Sequence, residues 1–295
     1  MRGQARTATV GRPVRWRRLI AAAVLATVTL TGCATYPGTA ARSDGASMSQ
    51  DAVVEQGNAV ISEAKVPPVA DRTLTALHRQ ILTRFIRHQL ITTAARDHSV
   101  SVTDEQVNAF LLKQGRQTVA STLLVPLSGV DSAAKDLLTL QALVSPADPQ
   151  SLAVTDVRVA YEQVSVDSYD TAQDRLRQYR ADPPALTAAG ATAGQASLLS
   201  EISAAPWGLF DAAPGAVVVV PSNDGAYSVR RIVNRTTIPA NLGNVSTPAN
   251  FSDSYNLAAL LLARYEGAAG IVVNPRYGVW DSLTVQVVPA PTTGA

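Results

Sequence analysis

Several residue types are scarce in this chain, and each scarcity excludes a class of protein. The 295 residues contain a single cysteine, which excludes a disulfide framework and any metal site built from several thiolates. Only 5% of residues are aromatic and 16% are charged, but 46% are hydrophobic. This composition supplies a sizeable core and excludes a wholly disordered chain.

The charge is unevenly distributed along the sequence. Residues 1–33 contain six arginines and no acidic residue, whereas the remainder has 19 basic and 23 acidic side chains. The formal net charge of +2 therefore comes from the leader alone. A mildly acidic body offers no electrostatic basis for binding nucleic acid, so we predict no nucleic-acid partner.

A twelve-residue apolar run, residues 19–30, follows these arginines. It is shorter than the roughly 20 residues that span a bilayer and is typical of the hydrophobic region of a signal peptide. The following Leu30-Thr31-Gly32-Cys33 resembles the lipobox of bacterial lipoproteins, in which small residues precede an acceptor cysteine. The resemblance implies acyl chains on Cys33 that anchor the protein at the extracytoplasmic face of the cell membrane. A free cysteine in an ordinary signal peptide is the alternative.

The region after the leader is predicted to be mainly helical. Residues 33–51 are rich in small polar residues and predict a flexible tether, and residues 52–61 predict two short strands around Gly57-Asn58. Residues 69–97 predict the strongest helix, with apolar side chains at helical spacing and arginines on most of the other face. The apolar residues are Leu74, Leu77, Ile81, Leu82, Phe85, Ile86, Leu90 and Ile91, and the arginines are Arg72, Arg79, Arg84 and Arg87.

Shorter helices are predicted to follow. Thr103 and Gln106 form the pattern of a capping box, and Gly115 is a suitable stop for the helix that they begin. Two further helical stretches are predicted near residues 117–127 and 131–144. The helical part then ends in a proline-containing linker.

The remainder of the chain has a mixed pattern. Val157, Val159 and Tyr161 alternate, and the phase then slips to Val164 and Val166, which predicts a bulged strand. The other predicted elements are a short helix carrying Leu176 and Tyr179, a hairpin with strands at 217–220 and 227–233, a linker at 236–250, a helix at 255–265 and closing strands at 271–273 and 283–288.

This order of elements indicates an α+β fold whose two ends share one domain. A small α+β insert separates the helical region from a returning C-terminal helix and its strands. The predicted division is a signal peptide at 1–32, a tether at 33–51, a helical domain at 52–150, the α+β insert at 151–240, and a returning helix, closing strands and tail at 241–295.

Three segments of the helical region carry a family resemblance. They are Val53-Val54 with Ala59-Val60-Ile61-Ser62, then Leu90-Ile91-Thr92-Thr93-Ala94-Ala95, and then Val100-Ser101-Val102-Thr103-Asp104-Glu105-Gln106-Val107. In this order and spacing, residues 52–115 resemble the N-terminal domain of SurA- and PrsA-type foldases of the bacterial envelope. The ending at 273–280 is similar to that of secreted actinobacterial relatives in the group.

The insert carries the second part of the resemblance. A strand, an alanine-rich helix, the Leu209-Phe210 approach and the hairpin at 225–232 make residues 155–236 similar to a degenerate parvulin-type prolyl isomerase domain. Active parvulins have two ring histidines inside the fold, and here Tyr161 and Tyr227 stand near those positions. The resemblance therefore implies no catalytic residue in this chain.

Taken together, the lipobox and the family layout predict a membrane-anchored, SurA-like chaperone. We expect it to hold unfolded or newly exported proteins without catalysis and without a cofactor. The alternatives are a weak peptidyl-prolyl cis-trans isomerase and an envelope lipoprotein for solute binding or assembly.

Candidate contacts to such clients are large apolar residues. A chaperone surface needs broad and adaptable apolar area, which the same side chains would also provide if they only formed the core. The candidates are Leu77, Ile81 and Phe85 on the long helix, and Trp207, Phe210 and Trp280 beyond it.

The three histidines do not predict a metal site. His78, His88 and His98 are ten residues apart, and ten residues rotate a helix so that neighbours do not share a face. We expect surface or capping positions for them.

Overall fold

The computed structural model describes residues 37–63, 71–144, 152–222, 225–245 and 250–290. The predicted signal peptide, Cys33 and the linker at 145–151 lie outside these residues. Within the described ranges, no helix is long and apolar enough to cross a membrane. The alternation of helical and sheet regions confirms the predicted α+β class.

A β-hairpin stands where the flexible tether was predicted. Strands β1 (Thr39–Ser43) and β2 (Ala46–Ser49) pair antiparallel. The turn between them is Asp44-Gly45, with φ angles of 49° and 78°, which is the geometry that Asp-Gly favours in tight hairpins. Ala41 is buried and pairs with a short strand near the C-terminus. The tether prediction is therefore wrong over these residues, because small side chains here fill a sheet instead of a loop.

A helix replaces the two strands predicted for residues 52–61. Helix α1 (Gln50–Glu63) buries Val53, Gly57 and Val60, which recur at helical spacing. A Cβ atom on Gly57 would approach Nε2 of His78 to 3.1 Å. This glycine therefore allows two helices to pack closely and does not mark a turn.

Helix α2 (Asp71–Asp97) is present as predicted, but it is enclosed on all sides. Between Leu74 and Ile91, only Thr75 is exposed. The predicted outer face of arginines is wrong for three of them, since Arg87 is 2% exposed and Arg79 and Arg84 are half-buried. The helix divides its apolar residues between two cores. Leu82, Ile86 and Leu90 belong to the main core, and Leu77 and Ile81 belong to a second core shared with the helices that follow.

Helices α3 (Asp104–Gln114), α4 (Arg116–Leu123) and α5 (Val130–Val144) complete this second core. The predicted capping box is confirmed. Thr103 N–H donates to Gln106 Oε1 at 2.8 Å, and Gln106 N–H donates to Thr103 Oγ1 at 3.3 Å.

The insert is built on one antiparallel sheet with strand order β4-β3-β6-β5. Its helices cover one face of the sheet and the main core covers the other. The fifteen residues of β6 include part of the predicted linker at 236–250, so that linker is wrong up to Asn241. The elements are β3 (Ala153–Val166), α6 (Tyr169–Ala181), α7 (Pro184–Ala188), β4 (Thr192–Ser197), β5 (Val217–Pro221) and β6 (Tyr227–Asn241).

The phase change along β3 has a different cause from the predicted bulge. Its first half buries Val157 in the main core, whereas Val164 packs against the opposite core under α6 and α7. The irregular position lies in β6, because Ala160 pairs with Asn234 and Tyr161 pairs with Ile232. The strand thus changes its buried face, and its partner supplies the bulge.

The C-terminal region returns to α2. Two backbone contacts fasten it: Val287 N–H donates to Thr83 Oγ1 at 2.9 Å, and Arg87 Nε donates to the Val285 carbonyl at 2.8 Å. Both ends of the chain therefore contribute to the main core around α2. The elements are α8 (Phe251–Ala259), a 3₁₀ helix (Leu260–Tyr265), α9 (Glu266–Ala269), β7 (Val272–Val273), β8 (Val279–Asp281) and β9 (Gln286–Val288).

Replacing Arg87 tests this attachment. Its guanidinium also donates to Asn256 Oδ1 at 2.7 Å, so Arg87→Met leaves a buried carbonyl and an amide oxygen without donors. We expect the free energy of unfolding to fall by about 3 kcal/mol, measured by urea denaturation. Arg96→Met, at the exposed end of the same helix, is the control and should change it by less than about 0.5 kcal/mol. Equal midpoints for the two variants would contradict the attachment.

Candidate binding groove

A groove of about 320 Å³ lies beside α2, where α1, α5 and the connection before α5 approach that helix. Its lining combines apolar and polar side chains. The apolar residues include Met48, Ile81, Phe85, Leu124, Val125 and Pro126, and the polar ones include Gln56, Arg84, His88, Ser132, Asp136 and Tyr255. Such a surface suits an apolar segment that carries polar backbone groups.

The connection between α4 and α5 forms one wall of the groove. Leu123 is fully buried, and Leu124 then takes the left-handed conformation with φ 52° and ψ 52°. Val125 N–H donates back to the Ala120 carbonyl at 2.9 Å, and Pro126 cannot continue the helix. The chain therefore leaves α4 with its next two apolar side chains along the groove.

An ion pair stands at the edge. His88 Nδ1 lies 2.9 and 3.0 Å from the two carboxylate oxygens of Asp136. This hydrogen bond raises the pKa of His88, against the opposing effect of partial burial. His88 therefore stays protonated, and its charge balances that of Asp136, over a wider pH range than a free histidine would allow.

Two of the six predicted client contacts lie in this groove. Ile81 forms part of its floor, and Phe85 is half-buried along it. The other four are core residues: Leu77 and Phe210 are buried, and Trp207 and Trp280 are half-buried against the main core.

The wall of the groove differs from the sequence-based prediction, which places Leu124, Val125 and Pro126 in a helix and Met48 in the tether. A consecutive apolar run that includes a proline is the local signal for a loop with half-buried apolar side chains at this position.

The two tyrosines near the parvulin histidine positions do not meet. Tyr161 pairs with Ile232 and Tyr227 pairs with Val166, so they are five residues apart along the β3–β6 ladder and on opposite faces. Five residues of strand correspond to roughly 16 Å. The pair therefore cannot exchange hydrogen bonds inside the sheet.

Each tyrosine has its own local partners instead. The Arg230 guanidinium lies 4.4 Å from the centre of the Tyr161 ring and 3.2 Å from Glu201. The ring of Tyr227 packs edge-on against Tyr169, with 5.4 Å between the centroids.

The other two histidines are also placed separately. His98 Nε2 lies 2.7 Å from the Tyr265 hydroxyl, and the His78 ring meets Tyr277 edge-on at 6.0 Å. In the part of the chain that the structure describes, no three His, Cys, Asp or Glu side chains come together to hold a metal ion.

Comparison with known proteins gives a likeness to several solved structures, two of which are described below. No protein-family model and no curated protein matches the chain. The foldase protein PrsA from Lactococcus lactis is 14% identical over 80% of this chain and 94% of that one, with a TM-score of 0.27. The foldase protein PrsA from Streptococcus pneumoniae is 12% identical over 75% and 85%, with a TM-score of 0.25. At TM-scores this low, the superpositions support no functional inference.

The histidines provide a direct test of the groove edge. In an NMR titration, the ring of His88 should have a pKa above the ordinary value because of Asp136, and His78 one below it, because of burial and nearby Arg276. Asp136→Asn should lower the pKa of His88 and leave that of His78 unchanged. Since folding raises the pKa of His88, the pair stabilises the fold below about pH 6.5, and this contribution is lost as the pH rises through the raised pKa. An unchanged His88 titration in Asp136→Asn would contradict the pairing.

Proposed function

We propose that this chain is a membrane-anchored extracytoplasmic lipoprotein that binds unfolded or newly exported proteins and keeps them from aggregating, without catalysis. The apolar groove beside α2 is the observation that carries the proposal. It exposes part of Phe85 and the wall at Leu124, Val125 and Pro126 in a cavity of about 320 Å³. A surface of this kind recognises apolar side chains in general and imposes no fixed reaction geometry.

The absence of catalysis is part of the proposal. It is supported by the position of Tyr161 and Tyr227 on opposite faces of the sheet, where they cannot act on one proline peptide bond. Tyr161 is also 6% exposed and lies under Arg230, so its hydroxyl belongs to a packed cluster.

The anchor is inferred from the leader. Six arginines, a short apolar run and Leu30-Thr31-Gly32-Cys33 support export followed by acylation of the only cysteine in the chain. Two or more acyl chains are enough for stable anchoring, whereas one is not.

Suppression of aggregation tests the chaperone activity. The full chain in lipid nanodiscs is mixed with a chemically unfolded client during dilution, and light scattering is followed against empty nanodiscs. We expect suppression near an equimolar ratio, reduced several-fold by Phe85→Gln and by Val125→Gln because both put a polar group on the groove floor or wall. Leu112→Gln is the matched control, since Leu112 is 87% exposed on α3 and outside the groove.

The two groove variants must retain the circular dichroism and melting temperature of a folded protein for the comparison to count. No suppression by the unaltered chain over several clients would refute the chaperone proposal. Isomerase activity is tested under the same conditions. Cis-trans exchange of a proline peptide should keep its uncatalysed time constant of tens of seconds. Faster exchange would refute the proposal that the chain is not an isomerase.

Acylation has its own test. Cells that express the chain are labelled with palmitate, and the label should be lost in Cys33→Ala because no other cysteine is present. Ser47→Ala, a substitution at the exposed edge of β2, should keep the label. Label that persists in Cys33→Ala would exclude the lipobox interpretation.

A further inference from the structure

A second, smaller cavity of about 90 Å³ adjoins the groove. Three arginines of α2 line it, namely Arg79, Arg84 and Arg87, and none of its lining residues is acidic. Its other polar lining side chains include Gln80, Ser252 and Gln286. A cavity that collects three guanidinium groups without a carboxylate has the composition of an anion site.

Several donors in this cavity lack acceptors. The Nε of Arg79 and the Nε2 of Gln286 are buried without a hydrogen-bond partner, and Gln286 as a whole is only 4% exposed. Arg84 lies 5.6 Å from the centre of the Tyr255 ring, and its guanidinium donates to no residue that the structure describes. Buried donors are almost always paired, so unpaired ones beside a cavity indicate a missing acceptor.

Arg87 shows the contrast within the same helix. It also lies over Tyr255, at 5.4 Å, but its donors are taken by Val285, Asn256 and Thr284. Arg87 thus has a structural role, whereas Arg84, one turn earlier, has N–H groups available to a ligand.

The nearest carboxylates do not neutralise the cavity. Asp136, the acid whose charge acts on Arg84, is already paired with His88. Asp211 acts on Arg79, but burial and the neighbouring Asp281 raise the pKa of Asp211 to about 7, which leaves it partly protonated. Burial lowers the pKa of Arg87 to about 10, so this arginine remains charged at neutral pH.

The cavity and the groove share a border. Arg84, Leu124 and Tyr255 line both of them. A chain segment with apolar side chains in the groove would therefore present its next group to the arginines. Because the cavity is small and planar guanidinium groups match a carboxylate in a two-point fashion, a carboxylate is the group that fits best.

We propose that this arginine cavity binds a polypeptide carboxylate, from the chain terminus or from an acidic side chain, while the adjacent apolar residues of the same segment occupy the groove. This inference rests on the proposed function, since it names the class of segment that the groove prefers. It explains why α2 keeps Arg79 and Arg84 at half-buried positions where an uncompensated charge is unfavourable.

Peptide binding to the full chain in nanodiscs tests this assignment. The probe is an N-acetylated tetrapeptide of apolar residues with a free carboxyl end, compared with the same peptide as its amide. We expect the free acid to bind at least tenfold more tightly, and Arg84→Met to remove the difference. Arg96→Met, on the exposed end of α2, should preserve it. Equal affinity of acid and amide for the unaltered protein would overturn the proposal.

The melting temperature distinguishes loss of a binding residue from a purely structural effect. Arg84→Met removes a cation without hydrogen bonds, so the melting temperature of the empty protein should hold or rise, unlike that of Arg87→Met. Gln286→Leu, which leaves all three arginines in place, should weaken the free acid and not the amide. A lower melting temperature of Arg84→Met, or an acid preference that survives both substitutions, would count against the site.

The affinity of one further peptide distinguishes a terminal carboxylate from a side-chain carboxylate. An amidated peptide with an internal glutamate that binds as tightly as the free acid assigns the cavity to side-chain and terminal carboxylates alike, whereas weak binding assigns it to chain ends. Tighter binding of inorganic phosphate than of the free acid would overturn the carboxylate assignment.

The failure of this inference is distinguishable from failure of the chaperone proposal. Acid and amide that bind equally, together with suppressed aggregation, would remove the role of the cavity and leave the groove. Absence of both peptide binding and suppression would remove the groove as well.

Discussion

The structure depends on one constraint, which is the burial of a long helix on all sides together with its polar groups. Within α2 the Thr83 hydroxyl donates to the Arg79 carbonyl, but the donor to Thr83 Oγ1 and an acceptor for Arg87 Nε both come from outside the helix. Their partners are Val285 and Val287, about two hundred residues further on. The N-terminal hairpin and the C-terminal strands both contribute buried residues to the main core, so both must reach α2 before that core is closed.

This requirement explains how the insert is attached. The two long strands of the insert begin and end side by side, since Ala153 pairs with Asn241. The chain thus leaves the helical body and re-enters it at one place. An insert of about ninety residues therefore does not separate the parts of the main core that precede and follow it in sequence. Domains whose ends lie close together are the kind that insertion tolerates.

Local signals were predictable from the sequence, and partners distant in sequence were not. The capping box at Thr103 and the hairpin turn before Tyr227 each depend on residues only a few positions apart. A short stretch of sequence therefore contains everything needed to predict them. The Asp44-Gly45 turn was equally local, but the small residues around it suggested a tether. The arginines of α2 match the sequence pattern of an exposed face, but Arg87 is buried because residues 283–288 return to the helix. The groove wall is a different case, because the signal for it is local: Pro126 follows Leu124 and Val125 and indicates that α4 ends before them.

The hairpin at residue 39 determines how far the protein can reach. If acylated Cys33 lies in the bilayer, five residues separate it from β1, which allows about 20 Å even when fully extended. A tether up to residue 51 would have allowed about 60 Å. With that anchor, the start of the hairpin would stay within about 20 Å of Cys33, and the effective concentration of the protein for chains near the membrane would be higher than a longer tether gives.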